Sequence, residues 1–425
     1  MDTAQKNSDE NRLFSGRFFS SGPIDVGQGD RGGVVLLVPG APESKGEVFS
    51  YLYRRFMLPG LKSSGIKYWA SHVRSRFKAR MATPRVISEY KAIGGGATIN
   101  LFNREQADDL SRRLKASAIV PDGVKVSTYL ASPFGTPSMK DAAIQMSEDG
   151  ITHVVLLPLF PQYAADTTGR ALAHWEEMVT NLEIATRPTV AVWEFAVRDS
   201  FVAALNERID QALQRFPRQL RSNVALLFAA HGKTEKPSSK KGDPYCCLVH
   251  HTVDRVMEMR SHDRPFSLSF VQERGWGTRF ANRLKVNLDR LIGSGVRAIV
   301  VVPVDHVTEQ FDTAYLLDVE LRQLAEEKGV THYQVASGLN CHSLFMEGLA
   351  DMVLDSIVPS SKRSLDEACI QACPREHWNS STDSNEAGCT VCPFSAPGMA
   401  KEQLRPSKSH AQSSHNPSRP AIRRA

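Results

Sequence analysis

An apolar run, Leu226-Leu227-Phe228-Ala229-Ala230, ends in His231-Gly232. A buried parallel strand delivers such a side chain to the carboxyl edge of an open α/β sheet, where ligands bind. A neutral imidazole there can accept a proton or ligate a metal near neutral pH. A lone histidine at a strand end is more often a satisfied structural group, but the following Gly242-Asp243-Pro244-Tyr245 reverses that balance in favour of chemistry. A second block is Tyr90-Lys91-Ala92-Ile93-Gly94-Gly95-Gly96. Its glycines let the backbone approach a flat ligand or a neighbouring chain closely; a flexible turn is the alternative. A third, Leu156 to Tyr163 and then Thr167-Thr168-Gly169, runs an apolar strand into a Pro-rich bend and a polar turn. Two cysteine pairs, Cys369-x3-Cys373 and Cys389-x2-Cys392, have spacings that can bind iron–sulfur or zinc, with free thiols as the alternative.

The elements that must position these groups are legible in the apolar pattern. Strand-like runs are predicted at Gly33–Val38, Val124–Tyr129, His153–Pro158, Val190–Phe195, Val224–Ala229, Ser267–Val271, Ala298–Val302 and Tyr333–Ala336. Helical spacing is predicted at Glu47–Phe56, Arg104–Ala116, Met139–Glu148, Ala171–Asn181, Ser200–Arg215, Ala281–Ser294, Thr313–Lys328 and His342–Val358. Strand–helix alternation of this kind implies an α/β fold with parallel sheets covered on both faces. The expected organisation is a disordered segment 1–30, an α/β domain over 31–197, a similar one over 198–340, and a helix at 341–358 packing back on the first. Residues 359–425, rich in Ser, Pro, Asn and Arg, should form a mostly disordered tail.

Taken together and in order, these blocks resemble the ferrochelatase family, over about residues 33–358. The resemblance rests on Tyr90–Gly96, on Leu-Pro-x-x-Pro-Gln-Tyr from Leu157 with Thr167-Thr168-Gly169, on the His231 block, and on Val300–Pro303 followed by Thr308-Glu309-Gln310-Phe311-Asp312-Thr313. It implies two Rossmann-like domains with a porphyrin cleft between them. It further implies insertion of ferrous iron into protoporphyrin IX to form protoheme, with His231 at the porphyrin face as proton acceptor and metal ligand. Tyr90, Gly94, Gly95, Gly96 and Phe280 would then line the porphyrin. The family reads His-x-Glu-Thr where this chain has Gln310-Phe311-Asp312-Thr313. Asp312 would hold the second proton or guide iron, and Gln310 stands in the histidine's place. Gln cannot take a proton, and Asp withdraws the carboxylate by roughly 1.5 Å. A misplacement of about 1 Å can cost on the order of a hundredfold in rate. His306 and Glu309 lie just upstream and could fill these roles only through a register shift, against the ungapped match. These departures motivate the alternative of a weakened or inactive tetrapyrrole- or metal-binding protein. Coproporphyrin as substrate, and insertion of cobalt or nickel, are further alternatives. Several members of the family carry a [2Fe–2S] cluster on a C-terminal extension; its usual spacing is not reproduced here and its internal cysteine falls near Ala165, so a site confined to Cys369, Cys373, Cys389 and Cys392 stands beside free thiols as alternatives. The resemblance also implies a membrane-contacting lip at Met57–Arg80, a homodimer, and a mitochondrial location; without it, a cytoplasmic one.

Composition sets the bounds. With 41% hydrophobic and 23% charged residues the 425-residue chain is ordinary for a globular protein of two domains. Of the net charge of +6, residues 401–425 supply +5 through Lys401, Arg405, Lys408, Arg419, Arg423 and Arg424 against Glu402. The body is therefore close to neutral, which argues against a nucleic-acid partner. No run of 18 apolar residues occurs, so no transmembrane helix is expected. Seven cysteines without a secretory pattern argue for a reducing compartment rather than a disulfide framework.

Overall fold

The computed structural model describes residues 23–57, 65–92, 98–120, 122–231, 245–271, 282–310, 312–357 and 404–405. Two parallel sheets carry the chain. The first contains β1 (Arg31–Leu37), β2 (Lys125–Ala131), β3 (His153–Pro158) and β4 (Thr189–Ala191), in the order β2-β1-β3-β4. The second contains β5 (Val224–His231), β6 (Phe266–Val271), β7 (Ala298–Pro303) and β8 (His332–Val335), in the order β8-β7-β5-β6. A two-residue strand, β9 (Leu404–Arg405), lies antiparallel beside β6 and is the described part of the tail. Read from its own first strand, each half has the same order. The likeness between the halves is therefore one of architecture, without a residue repeat.

The helices are α1 (Val48–Met57), α2 (Gly65–Ala92), α3 (Thr98–Ala116), α4 (Met139–Glu148), α5 (Thr168–Val179), α6 (Asp199–Gln214), α7 (Tyr245–Met259), α8 (Asn282–Gly293), α9 (Leu321–Glu327) and α10 (Ser343–Ile357). The helix expected over Thr313–Lys328 is instead a π-helical segment, Asp312–Glu320, running into α9. Its buried Leu316, Leu317, Leu321 and Ala325 satisfy a helical period whether the turn is regular or widened, so spacing could not separate the two. The fourth strand is shorter than the run Val190–Phe195 suggested. Beyond Ala191 the chain peels away, and the Phe195 amide donates to the Pro161 carbonyl at 2.9 Å.

Alternation along the strands divides the core. Val34 and Leu36 of β1 and Leu226, Phe228 and Ala230 of β5 face one continuous apolar cluster shared by the two halves. Val35 and Leu37 face a separate cluster under α4 and α5, and Ala225, Leu227 and Ala229 face another under α8 and α9. In the shared cluster, Phe195, Phe201 of α6 and Phe345 of α10 meet with ring centroids 5.5 to 6.5 Å apart. Helix α10 packs on both α3 and α6, so the last helix joins the first sheet's cover to the crossing between halves.

Candidate active site

In each half the first strand sends its connections to opposite sides, which opens a crevice at the carboxyl ends of the two central strands. In the second half those strands are β5 and β7. Their parallel register pairs Ala229 with Pro303. Two residues further on, that register sets Asp305 opposite His231, and the Val304 amide still donates to the Ala229 carbonyl at 3.0 Å. Sheet pairing thus brings together two groups far apart in the chain.

Asp305 is the hub of the site. Its Oδ2 accepts from the His231 backbone N–H at 2.7 Å and from the Tyr245 hydroxyl, at the start of α7, at 2.8 Å. Its Oδ1 accepts from His306 Nδ1 at 2.7 Å. His231 Nδ1 stands 3.5 Å from Oδ2, facing the same carboxylate. Burial opposes ionisation of Asp305, but the positive character of His306 and His231 outweighs it and holds the carboxyl well below the usual carboxylate range. An ionised carboxylate only accepts, so the proton of neutral His306 is assigned to Nδ1, leaving the Nε2 lone pair free of it. The two imidazole rings are 4.3 Å apart at 69°. His231, Asp305 and His306 each offer a ligand atom within 4.8 Å of the others; among the described residues it is the one such group.

The first half braces this loop. Gln162, buried in the Pro-Gln-Tyr bend, donates at 2.9 Å to the Val304 carbonyl and at 2.9 Å to Thr252 Oγ1 of α7. Tyr163 beside it packs so closely on α5 that a Cβ on Gly169 would lie 2.6 Å from its hydroxyl. From α3, Gln106 bonds Thr308 Oγ1 at 3.2 Å and the Asn340 carbonyl at 2.9 Å, while Asn340 Oδ1 accepts from the Glu309 amide at 3.0 Å. Gly338 is required by the same contact, because a Cβ there would meet the Glu309 nitrogen at 2.7 Å.

The other expected site residues fall as follows. Tyr90 is half-buried in the last turn of α2, where a glycine-rich turn was expected to begin. Gln310 is half-buried, and its carbonyl accepts from the Ala314 amide at 3.0 Å as the π-helical segment opens. Asp312 begins that segment, and its side chain lies outside the described residues. Gly94, Gly95, Gly96, Phe280, Cys369, Cys373, Cys389 and Cys392 also lie outside them, so no cluster ligation is described. Asp305 was not singled out from sequence. Its signal was available, since Val300 to Val304 is an apolar run ending in Asp305-His306, as the run before His231 ends in a histidine. Of the predicted lip, Met57–Arg80, Met57 ends α1, residues 58–64 lie outside the described residues, and the rest is the first part of α2, which carries Ile66, Trp69, Val73, Phe77 and, just beyond the lip, Met81 exposed at spacings of one helical turn.

The family model for Ferrochelatase matches residues 31–357. The ferrochelatase of Trichodesmium erythraeum is 27% identical over 355 residues, covering 82% of this chain and 89% of that relative. Ferrochelatase-1, chloroplastic/mitochondrial, of Arabidopsis thaliana is 28% identical over 353 residues, covering 81% of this chain and 73% of that one. Among solved structures, SirB from Bacillus subtilis with Fe3+ covers 79% of this chain and 98% of its own at 11% identity, with a TM-score of 0.45. With the match running from the first residue of β1 to the last of α10, the chain belongs to the ferrochelatase family.

Proposed function

We propose that this chain inserts ferrous iron into protoporphyrin IX, giving protoheme. The observation that carries the reading is His231 at the end of β5, facing Asp305 at the crevice of a chain matched to the family from residue 31 to 357. In the reaction two pyrrole N–H bonds break, four iron–nitrogen bonds form and two protons leave; no electron is transferred. His231, facing a buried carboxylate, is suited to accept one of those protons, since Asp305 stabilises the imidazolium that results. Asp312 is the proposed second acceptor on the strength of the motif. The exposed stripe of α2 would serve as contact with a lipid surface. The tail cysteines remain a proposed cluster site on spacing alone and take no part in the insertion step.

Gln310 and Asp312 favour a second reading, a tetrapyrrole-binding protein that has lost turnover. Anaerobic incubation of the purified protein with ferrous iron and protoporphyrin IX separates the two. Metalloporphyrin formation that falls on the order of a hundredfold or more in His231→Ala is expected for the enzyme. Tight porphyrin binding, read by fluorescence quenching, with no metalloporphyrin from wild type would overturn the catalytic reading.

A further inference from the structure

We infer that His231 and His306 together form a two-imidazole docking site for a borderline divalent transition-metal ion, with Asp305 as the residue that positions both rings. The inference rests on the metal-insertion reading and adds to it a ligand that the His-x-Glu-Thr motif does not include, since His306 lies four residues before Gln310. The carboxylate is already occupied: Oδ2 accepts from the His231 amide and the Tyr245 hydroxyl, and Oδ1 from His306 Nδ1. Asp305 therefore acts as an orienting group. By accepting a hydrogen bond from His306 Nδ1–H and facing Nδ1 of His231 at 3.5 Å, it favours the tautomers that present Nε2 of both rings as the ligating atoms.

The metal class follows from the donors. Imidazole nitrogen suits iron, cobalt, nickel and zinc and offers little to magnesium or calcium. Metal–nitrogen bonds of about 2.0–2.1 Å at a tetrahedral angle ask for nitrogens roughly 3.3 Å apart. The ring centres are 4.3 Å apart, and a ligand atom of each ring lies within 4.8 Å of one on the other. A site with two protein nitrogens leaves half of four tetrahedral positions open. That suits a cargo ion that must be surrendered to four pyrrole nitrogens, whereas a structural ion is closed off by four protein ligands.

The test uses the full chain without porphyrin and Co2+ as the probe, because its visible absorption bands report nitrogen ligation. Wild type should bind one Co2+. His306→Gln keeps an N–H that can donate to Asp305 but removes the ligating nitrogen, and should raise Kd at least tenfold, as should His231→Gln. Asp305→Asn should raise Kd by roughly 10- to 100-fold and shift the cobalt bands, which a purely structural role would leave in place. Near-ultraviolet circular dichroism of each variant checks the fold, and His306→Ala serves as a second variant if His306→Gln misfolds. The inference is overturned if wild type binds no Co2+, or if folded His306→Gln binds it as wild type does. Insertion activity in wild type with unchanged Co2+ binding in His306→Gln would sink this inference and leave the proposed function standing. Binding that depends on His306 in a protein that inserts no metal would do the reverse.

Discussion

At the scale of single residues, Asp305 concentrates the chemistry of the site. A carboxylate accepting three hydrogen bonds, in a place with 7% side-chain exposure, is kept ionised by its donors. Because its folded value lies below the unfolded one, its stabilisation is fully present above the ordinary carboxylate range and is lost as pH falls through the folded value. Asp305→Asn is therefore expected to lose about 1.5–3 kcal/mol at neutral pH, the range for hydrogen bonds to a charged group. The gap from wild type should narrow below about pH 4, where the unfolded carboxylate protonates. Denaturant titrations of both proteins at neutral and acid pH check this; a gap independent of pH would show that the charge is not what stabilises the network. His231 was legible because one local rule, an apolar strand ending in a titratable group, points to it. Asp305 and His306 carry the same local mark. Their nearness to His231 is set by the β5–β7 register, a long-range property that neither segment carries alone.

At the scale of elements, long and strongly periodic segments were the readable ones. Helix α4 was expected at Met139–Glu148 and stands there, for a reason visible in sequence: Ser138 and Asp141 form a reciprocal cap. Ser138 Oγ accepts from the Asp141 amide, and Asp141 Oδ2 accepts from the Ser138 amide, each at 3.2 Å. Ser138→Ala should cost about 1 kcal/mol, measured by chemical denaturation, with metal and porphyrin binding unchanged. Helix α7 was missed. Its buried Leu248, Val249, Thr252, Val253 and Val256 follow helical spacing, but β-branched residues and histidines hold its intrinsic propensity down and packing on α6 supplies the rest. Helix α2 extends past Arg80 through Pro84 to Ala92, although an interior proline removes a hydrogen bond and normally ends the pattern. Its packing against α1, through Val48, Leu52 and Ala79, supports the helix from one side.

At the scale of the whole molecule, the α/β class and its parallel sheets could be read from strand–helix alternation, whereas the order of strands and the shared core could not. Alternation says that both faces of each strand are covered; it does not say that one face of each sheet borders a single apolar cluster common to both halves. Phe345 shows how much depends on that sharing. It is 1% exposed and touches Phe195 and Phe201. Phe345→Ala should cost about 3–5 kcal/mol in global stability, read by thermal or denaturant unfolding. Because the lost packing lies in the cluster common to both sheets, both halves should melt together in a single lowered transition.

The closing role of α10 also has a consequence in time. The chain leaves the ribosome amino terminus first, and the roughly 130 residues between α6 and α10 emerge before the last helix can dock. At about 5–20 residues per second this interval is on the order of ten seconds. Throughout it the faces of α3 and α6 that α10 will cover are bare. The first sheet can form early, yet its cover is finished only once residues 343–357 have emerged. The nascent protein thus passes through a period in which an apolar surface from its first half is open to chaperones and to neighbouring chains.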